Sequence, residues 1–384
     1  MRKLVLAVVL LVSGCVAPAV TAPVAPALPA QPPGAPTWAP WPAALHDARH
    51  SGSSTSDGPV RGTVRWRRNL EGAVTPGPVI GADGTIYASS TAGVLHAIDP
   101  ASGQDRWTYD SKDTGGGDLS VSPLVLPSGD IVWPTPGPLL LVLSSSGRRL
   151  WSVELPGIPT SPASVDGSRI YVGDTSGHVS AIDSRTRSLL WTVDVGRVSY
   201  GSVVTDGTRI YTTANSGVTA VDTDGTVAWQ RDPGDDITEV SAGLAPDGTV
   251  LLGTNGSREW AYRPDGSPAW NVPRFITYSS PAVTATGLAY IGDHGGTVSA
   301  FDVRTGRIVR SYHLNGEQIW SSTIVDRNYR LYYANQVGHV YGLTPEGGVL
   351  FDVNVGGPVD SYPALSADGA LVVGSRNGVL TSIG

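Results

Sequence analysis

Few residues in this chain have the type and spacing that catalysis requires. Its 384 residues include one cysteine, Cys15, whereas a disulfide, a CxxC zinc site and a cysteine pair each need at least two. The HExxH, GxSxG, Walker A and dinucleotide-binding motifs are absent. The tightest acidic group is Asp235 and Asp236 with Glu239, and Ca²⁺ takes about six to eight oxygen ligands. The sequence therefore predicts no catalytic residue and no metal site.

The single cysteine stands where a lipid could be attached. Arg2 and Lys3 precede an apolar run over residues 4–12, which ends in the sequence VSGC at Cys15. Nine helical residues rise only about 14 Å, too little to span a bilayer. Small residues before the cysteine suit a signal peptidase, and VSGC resembles a bacterial lipobox, whose cysteine is acylated. We expect a lipoprotein signal peptide over residues 1–14 and a lipid on Cys15; an ordinary signal peptide with an incidental cysteine is the alternative.

The charge of the chain argues against a nucleic-acid partner. The formal net charge is −7, whereas proteins that bind nucleic acids present a basic surface to the phosphates.

Residues 16–44 are dominated by Pro and Ala, a composition typical of an extended, semi-rigid tether. We therefore divide the chain into a signal peptide (1–14), a tether with a lead-in (15–58) and a folded domain (59–384).

The folded domain is a repeat marked by tryptophan. The members of the series lie 38 to 44 residues apart, and they are Trp66, Trp107, Trp151, Trp191, Trp229 and Trp270. Arg310 and Phe351 occupy the next two positions at the same pitch. Since these residues recur at one structural position, we expect the tryptophans to pack between neighbouring units.

Each unit contains four short strand-like pieces separated by turns. Turn dipeptides such as Asp83-Gly84 supply the positive φ that hairpins need, and pieces such as GTVSAFD (296–302) have strand-like composition. Four strands in about 41 residues without a helical stretch are the signature of a β-propeller blade. The predicted fold class is all-β, a propeller with four-stranded antiparallel blades.

The number of blades follows from the two ends of the repeat. Seven complete units lie between residues 74 and 355, and the 33 residues after Phe351 contain only three strand-like pieces. The missing outer strand matches residues 62–70. We therefore predict eight blades, the last closed by the N-terminal strand, with a seven-bladed ring and a stray strand as the alternative.

One rim of this propeller carries most of the polar and aromatic residues that repeat geometry does not require. The loops before each inner strand and those between the second and third strands emerge on the same rim. Aromatic anchors among polar groups are typical of recognition surfaces, so we predict partner binding there. The candidate residues are Tyr200, Asp235, Asp236, Tyr278, His294, Trp320, Asn335 and Asn377. The alternative is that the aromatic members only fill the mouth of the channel.

The repeat G-x-V-x-A-x-D-x-x-T-G-x-x-x-W resembles the pyrroloquinoline-quinone-like (PQQ-like) propeller repeat. The clearest copies are residues 93–107 and 296–310, and the segment WPAALHDARHSGSS (41–54) is similar to one that often precedes such propellers. The family includes quinoprotein dehydrogenases, which hold the quinone and Ca²⁺ over the channel, and lipid-anchored propellers similar to BamB, which act as scaffolds in outer-membrane protein assembly. The dehydrogenases are longer, with large insertions and in many cases an adjacent cysteine pair, and this chain has neither feature.

The resemblance implies a non-enzymatic scaffold of the bacterial envelope. Its expected properties are no cofactor, envelope proteins of unknown identity as partners, membrane contact through the lipid alone, and a monomeric propeller. We expect export to the periplasm or exterior, with either the cell membrane or the outer membrane as the anchoring surface. A PQQ-dependent dehydrogenase and a carbohydrate-binding or sensor propeller remain the alternatives.

We predict that Cys15→Ser releases the protein from membranes. One acyl chain anchors a protein only marginally and two or more hold it stably, so loss of the acylated residue removes the anchor. Fractionation after a salt wash measures the effect, with Ser13→Ala as a control that keeps a small residue before the cysteine. A Cys15→Ser protein that stays in the membrane pellet would show that the lipobox interpretation is wrong.

Overall fold

The tryptophan repeat folds into a ring of eight sheets. The computed structural model describes residues 38–114, 121–196, 201, 203–214, 217–234, 237, 241–254, 258–274 and 276–384. In these ranges every sheet has four antiparallel strands, and the only helical element is a 3-10 turn, Lys112–Thr114. The predicted all-β, eight-bladed propeller is confirmed.

Within each blade, the strands are ordered from the central channel outward. Blade 1 contains β2 (Val79–Ile80), β3 (Ile86–Ser90), β4 (Val94–Ile98) and β5 (Asp105–Asp110). Blade 2 contains β6 (Leu124–Val125), β7 (Ile131–Pro134), β8 (Leu139–Leu143) and β9 (Arg149–Glu154). Blade 3 contains β10 (Ser164–Asp166), β11 (Arg169–Gly173), β12 (His178–Asp183) and β13 (Ser188–Asp194). Blade 4 contains β14 (Val204–Thr205), β15 (Arg209–Ala214), β16 (Gly217–Asp222) and β17 (Val227–Arg231).

The second half of the ring has the same pattern. Blade 5 contains β18 (Gly243–Leu244), β19 (Val250–Gly253), β20 (Arg258–Tyr262) and β21 (Pro268–Pro273). Blade 6 contains β22 (Ala282–Val283), β23 (Leu288–Gly292), β24 (Thr297–Asp302) and β25 (Ile308–His313). Blade 7 contains β26 (Ile324–Val325), β27 (Leu331–Ala334), β28 (His339–Leu343) and β29 (Val349–Asn354). Blade 8 contains β30 (Ala364–Leu365), β31 (Leu371–Gly374), β32 (Val379–Ile383) and the N-terminal strand β1 (Val64–Asn69).

The two ends of the repeat share blade 8. Strand β1 pairs antiparallel with β32, with Asn69 opposite Val379. Just beyond the strands, Thr63 and Gly384 exchange two backbone hydrogen bonds of 3.1 and 2.8 Å. The pairing gives the last C-terminal strand a partner and removes its free edge. The seven-bladed alternative with a stray strand is therefore wrong.

Burial explains why the inner and outer strands have different sequence patterns. Both residues of the inner strand β2 are buried, as are all five of the second strand β3, whereas β5 alternates between half-buried and exposed residues. Neighbouring blades cover the inner strands on both faces, so these strands are near-continuous runs of small and β-branched residues. The outer strands face solvent on one side, so their half-buried and exposed residues alternate with a period of two.

An aromatic residue of the outer strand joins most blades to the next one. The indole Nε1 of Trp66, Trp107, Trp191, Trp229 and Trp270 donates to a backbone carbonyl of the following blade at 2.8 to 3.0 Å. Each ring lies on a turn glycine with positive φ, where a Cβ would come within 3.0 Å of the indole. At the junction of blades 6 and 7, where Arg310 takes the tryptophan position, Tyr312 instead donates to Pro345 O at 2.9 Å.

Trp151 is the exception, and the sequence of the facing turn explains it. The turn of blade 3 has Arg187 with φ of 58° at the glycine position. In the described part of the chain, no hydrogen bond joins the Trp151 indole to this turn. The ring is half-buried and packs against the apolar cluster shared by blades 2 and 3.

The lead-in, residues 38–58, crosses the channel and bonds to the inner strands. Its carbonyls accept hydrogen bonds of 2.7 to 3.1 Å from one inner-strand N–H in each of six blades. The donor and acceptor pairs are Ile80 and Trp41, Val125 and Pro42, Thr205 and Ala48, Leu244 and Arg49, Val283 and Ser51, and Val325 and Gly52.

The structure therefore differs from the tether expectation at residues 38–44. Trp41 and Ala44 are fully buried, and Trp41 packs against His46 with ring centroids 4.8 Å apart. Alternating Pro and Ala favour an extended backbone. In this conformation the carbonyls of the lead-in can accept hydrogen bonds from the free N–H groups of the inner strands. The end of the Pro- and Ala-rich stretch is thus part of the fold.

We predict that Gly103→Ala destabilises the propeller more than Gly129→Ala. Both glycines have positive φ, but a Cβ at residue 103 would lie 2.7 Å from the Trp66 ring, whereas at residue 129 nothing lies within 4 Å. The backbone penalty of about 1 to 2 kcal/mol is common to both variants. Overpacking adds roughly 1 to 3 kcal/mol at residue 103. Urea unfolding midpoints measure the difference, and equal losses would contradict a closing role for the Trp66 contact.

Candidate functional site

The two rims of the propeller are built from different connections. Each inner strand runs from the upper rim, which carries the loops before inner strands and the turns between second and third strands, to the lower rim. The lead-in contacts the last residue or two of the inner strands and so covers the lower mouth of the channel. The candidate residues from the sequence that lie in the described ranges belong to the upper rim; they are Tyr278, His294, Trp320, Asn335 and Asn377.

Three of those candidates form one cluster. The ring of Tyr278 lies 4.7 Å from that of His294 and 5.1 Å from that of Trp320, with both pairs in edge-on geometry. His294 stacks on Trp320 at 5.5 Å with an interplanar angle of 19°. All three side chains are half-buried. We call Tyr278, His294 and Trp320 the aromatic cluster; it joins loops of blades 6 and 7.

A polar network from blades 7 and 8 borders the aromatic cluster. The guanidinium carbon of Arg376 lies 5.1 Å from the centroid of the Trp320 ring, a cation–π distance. Arg376 also pairs with Asp360, whose Oδ1 accepts a hydrogen bond of 2.7 Å from Gln336 Nε2. The network fixes the Trp320 ring, which already stacks with two side chains of its own protein.

Exposed aliphatic residues extend the cluster. Ile276 and Val337 are 38% and 49% exposed; the first precedes Tyr278 by two residues, and the second lies in the upper-rim turn of blade 7. Aromatic and aliphatic groups with a polar border are the usual anatomy of a protein interaction site. The arrangement is suited to binding rather than to bond making.

A buried ion group lies below the loops that carry the cluster. Arg274 approaches Asp293 at 3.4 Å, donates to Ile291 O at 3.2 Å and lies 4.8 Å from the Phe301 ring. Burial lowers the pKa of Arg274, and the nearby carboxylates oppose that shift. Burial also lowers the pKa of His294, against the charge of Asp293. The loop from Arg274 to Tyr278 is therefore held from beneath by charge as well as by packing.

Glu259 completes this group and was missed in the sequence analysis. It is 1% exposed, and neither carboxylate oxygen has a hydrogen-bond partner among the described residues. A signal was available, because the same position of the third strand is apolar in the other seven blades. The equivalent residues are Leu95, Leu140, Val179, Val218, Val298, Val340 and Leu380.

The remaining candidates have other surroundings. Asn335 is buried, and its Oδ1 accepts hydrogen bonds from the backbone of Val337 and His339. Asn377 is exposed and donates from Nδ2 to Gly356 O at 3.1 Å. Tyr200, Asp235 and Asp236 lie outside the described residues, as does Cys15. Of the five rim candidates in the described ranges, the structure thus brings three together.

The described residues contain no group of three or more His, Cys, Asp or Glu that could hold a metal ion. At the upper end of the channel, Tyr362 of blade 8 packs against Gly77 of blade 1, and its hydroxyl lies 2.7 Å from Ser122 Oγ in blade 2. This phenol therefore contacts the loops that precede the inner strands of blades 1 and 2. Within the same ranges, no helix has the length and apolarity to cross a membrane.

An eight-bladed ring of four-stranded sheets with the G-x-V-x-A-x-D repeat defines a PQQ-like propeller. Residues 57–132 and 139–273 match the family described as outer membrane protein assembly factor BamB, and the chain belongs to that family.

Solved structures with the same fold include both a BamB and a dehydrogenase. BamB from Moraxella catarrhalis aligns with a TM-score of 0.68 and 18% identity over 84% of this chain and 99% of that one. The quinohemoprotein alcohol dehydrogenase from Comamonas testosteroni aligns with a TM-score of 0.71 and 14% identity over 89% of this chain and 80% of that one. At these identities the likeness shows the fold alone.

A curated relative matches only in part. Protein Rv3035 of Mycobacterium tuberculosis is 26% identical over 149 residues, which are 38% of this chain and 35% of that protein. The match spans about a third of the length of that relative.

We predict that stability falls between about pH 5 and pH 8 because of Glu259. Burial raises the pKa of this carboxyl to about 8, and Arg274 opposes the shift. The folded protein then keeps a proton that the unfolded chain releases above its ordinary pKa of 4.5. Stability should therefore fall with rising pH, by up to about 1.4 kcal/mol per pH unit.

The variant Glu259→Gln should flatten this part of the profile and raise stability at pH 8 relative to the parent. Glu317→Gln, at an exposed glutamate of the upper rim, is the matched control and should keep the parent slope. Urea midpoints from pH 5 to pH 8 give both profiles. An unchanged slope in Glu259→Gln would show that the carboxyl is ionised in the folded state.

Proposed function

We propose that this protein is a non-enzymatic scaffold of the bacterial cell envelope that binds partner proteins through the upper rim of blades 6 to 8. The proposal includes export and a lipid anchor at Cys15. The observation that carries it is the aromatic cluster of Tyr278, His294 and Trp320 with its polar border of Arg376 and Asp360.

The internal packing of the cluster supports a protein partner. Trp320 is stacked by His294 and Arg376 and donates from Nε1 to Gln318 at 3.1 Å. Side chains held in this way lose little conformational freedom on binding, which favours affinity. Ile276 and Val337 add aliphatic surface that a partner can remove from water, worth about 25 cal/mol per Å².

The same packing argues against the carbohydrate-binding alternative at this position. A sugar ring stacks on an open aromatic face, whereas the Trp320 ring already has two neighbours from its own chain. The family membership further supports a scaffold, because the family is described by an assembly factor.

The dehydrogenase alternative makes a different experimental prediction. A quinoprotein would bind the quinone in stoichiometric amount with Ca²⁺ and oxidise an alcohol with a dye as acceptor. The scaffold proposal expects neither, since the described residues offer no group of three metal-ligating side chains.

We predict that Tyr278→Ala combined with Trp320→Ala abolishes capture of the envelope partner from membranes. Removal of central aromatic anchors typically costs about 2 kcal/mol or more each. Cross-linking and pull-down of the full-length, tethered protein, followed by identification of the captured chains, measure the loss. Melting of the variant is recorded in parallel.

The control is Leu189→Ser with Leu190→Ser, which removes two exposed apolar side chains, 42% and 44% exposed, from the outer strand of blade 3. These changes should leave capture intact. If the aromatic variant keeps its partners but melts at a lower temperature, the cluster only fills the channel mouth and the proposed interface is wrong.

A further inference from the structure

The lead-in leaves one part of the lower rim open. Its carbonyls accept backbone hydrogen bonds from the inner strands of six blades. In blade 3, Ser164 Oγ donates to Ala48 O at 3.5 Å, but among the described residues no lead-in carbonyl accepts from Val165 N. Val165 has the ladder position of the six donors, since it pairs with Ile170 as Thr205 pairs with Ile210 in blade 4. Its N–H therefore points toward the place where a carbonyl would complete the series. Leu365 in blade 8 lacks the bond as well, because the lead-in turns outward there.

A cleft of about 420 Å³ lies at this position between the lead-in and blades 2 to 4. Its volume is within the range of roughly 300 to 1,000 Å³ that is usual for ligand sites. Trp38 and Pro42 from the lead-in line it, together with Val165 and Asp166 of blade 3 and Asp206 of blade 4. The Trp38 ring is oriented by a hydrogen bond of 3.4 Å from Nε1 to Val125 O.

The carboxylate of Asp166 has no hydrogen-bond or ion-pair partner in the described structure, in contrast to its equivalents. In the corresponding turns, Asp83, Asp206 and Asp247 each accept a hydrogen bond from the backbone N–H two residues later, at 2.9 to 3.0 Å. Asp166 closes no turn in this way. Its Oδ2 instead lies 3.7 Å from the point that a Cβ on Gly207 would occupy, beside Asp206. Turn geometry alone therefore does not explain this aspartate, although the sequence pattern of the lower rim suggested that it would.

The charge of the cleft is negative. Three aspartates and one arginine line it, a formal charge of −2. Asp47 already accepts hydrogen bonds from Arg49 N, Ser51 N and Ser51 Oγ, and Arg49 donates to Ala245 O at 2.7 Å. Asp206 Oδ1 accepts hydrogen bonds from Thr208 N, Thr208 Oγ1 and Arg209 N, and the charge of Arg49 acts on the same carboxylate. The uncommitted charge is therefore that of Asp166, and Trp38 lines the same cleft.

We infer that the cleft binds an extended peptide segment that carries an arginine side chain. The peptide carbonyl accepts the Val165 N–H, as the lead-in carbonyls do in six other blades. The guanidinium pairs with the carboxylate of Asp166, whose two oxygens suit its planar fork, and packs against the Trp38 ring. The site lies on the rim opposite the aromatic cluster and does not depend on the scaffold proposal.

Calorimetric titration of the full-length protein with acetyl-Ala-Arg-Ala-amide tests this inference. The same peptide with citrulline keeps the shape without the charge and should bind roughly tenfold to a hundredfold more weakly, because hydrogen bonds to charged groups contribute about 1.5 to 3 kcal/mol. Agmatine supplies the guanidinium without the carbonyl and should also bind more weakly. Agmatine that binds as tightly as the peptide would overturn the role of the Val165 N–H.

The variant Asp166→Asn should weaken binding of the arginine peptide by a similar factor. Its matched control is Asp247→Asn, which makes the same charge change in the lower-rim turn of blade 5, outside the cleft; it should bind like the parent. Trp38→Ala provides a second variant in the lead-in and should also weaken binding. Equal affinity of Asp166→Asn and the parent, or no binding of the arginine peptide at millimolar concentration, would refute the site. Capture through the aromatic cluster should be unchanged in all three variants, so the two proposals fail separately.

Discussion

Most blades of this propeller are held to the next by an aromatic ring that lies on a left-handed turn. The tryptophan ring requires glycine at the turn position, because a Cβ on the turn residue would overlap the indole. The contact joins the outer strand of one blade to the turn between the third and fourth strands of the next. It also closes the ring, since Trp66 on the N-terminal strand makes the same contact with Gly103 of blade 1. Without disulfides, repeated packing of this kind carries the stability of the domain.

A repeated fold leaves its chemistry to the positions where the repeat is broken. Glu259 replaces an apolar residue in the third strand of blade 5. Tyr362 of blade 8 reaches the loops that precede the inner strands of blades 1 and 2. Asp166 makes no side-chain hydrogen bond within its turn, in a blade whose inner strand donates no described backbone hydrogen bond to the lead-in. At each of these positions the fold loses a stabilising contribution that the equivalent residues of other blades make, such as apolar burial or a turn hydrogen bond. Such local conflicts are where functional sites are expected.

The lead-in makes the two mouths of the channel unlike each other. On the lower rim, backbone carbonyls of the lead-in accept hydrogen bonds from inner-strand N–H groups of six blades. These N–H groups are then not available to pair with another strand. The lead-in does not cover the described loops of the upper rim. There the buried ion group of Arg274 and Asp293 holds the loop that carries Tyr278. The same fold occurs in a BamB and in a dehydrogenase, so the blades by themselves do not specify a function.

The sequence by itself determined the fold, the number of blades and the closing strand, because tryptophan spacing, DG turns and strand composition are local properties. It also placed Tyr278, His294 and Trp320 on one rim, since the order of strands in a blade fixes which loops share a side. Only the tertiary structure decided that these three rings touch, that Asn335 is enclosed in its turn, and that Trp41 enters the channel. Those outcomes depend on contacts between residues tens or hundreds of positions apart, which no local pattern encodes. The cleft beside Asp166 arises from the path of the lead-in over eight inner strands, and that path is set by the closed ring as a whole.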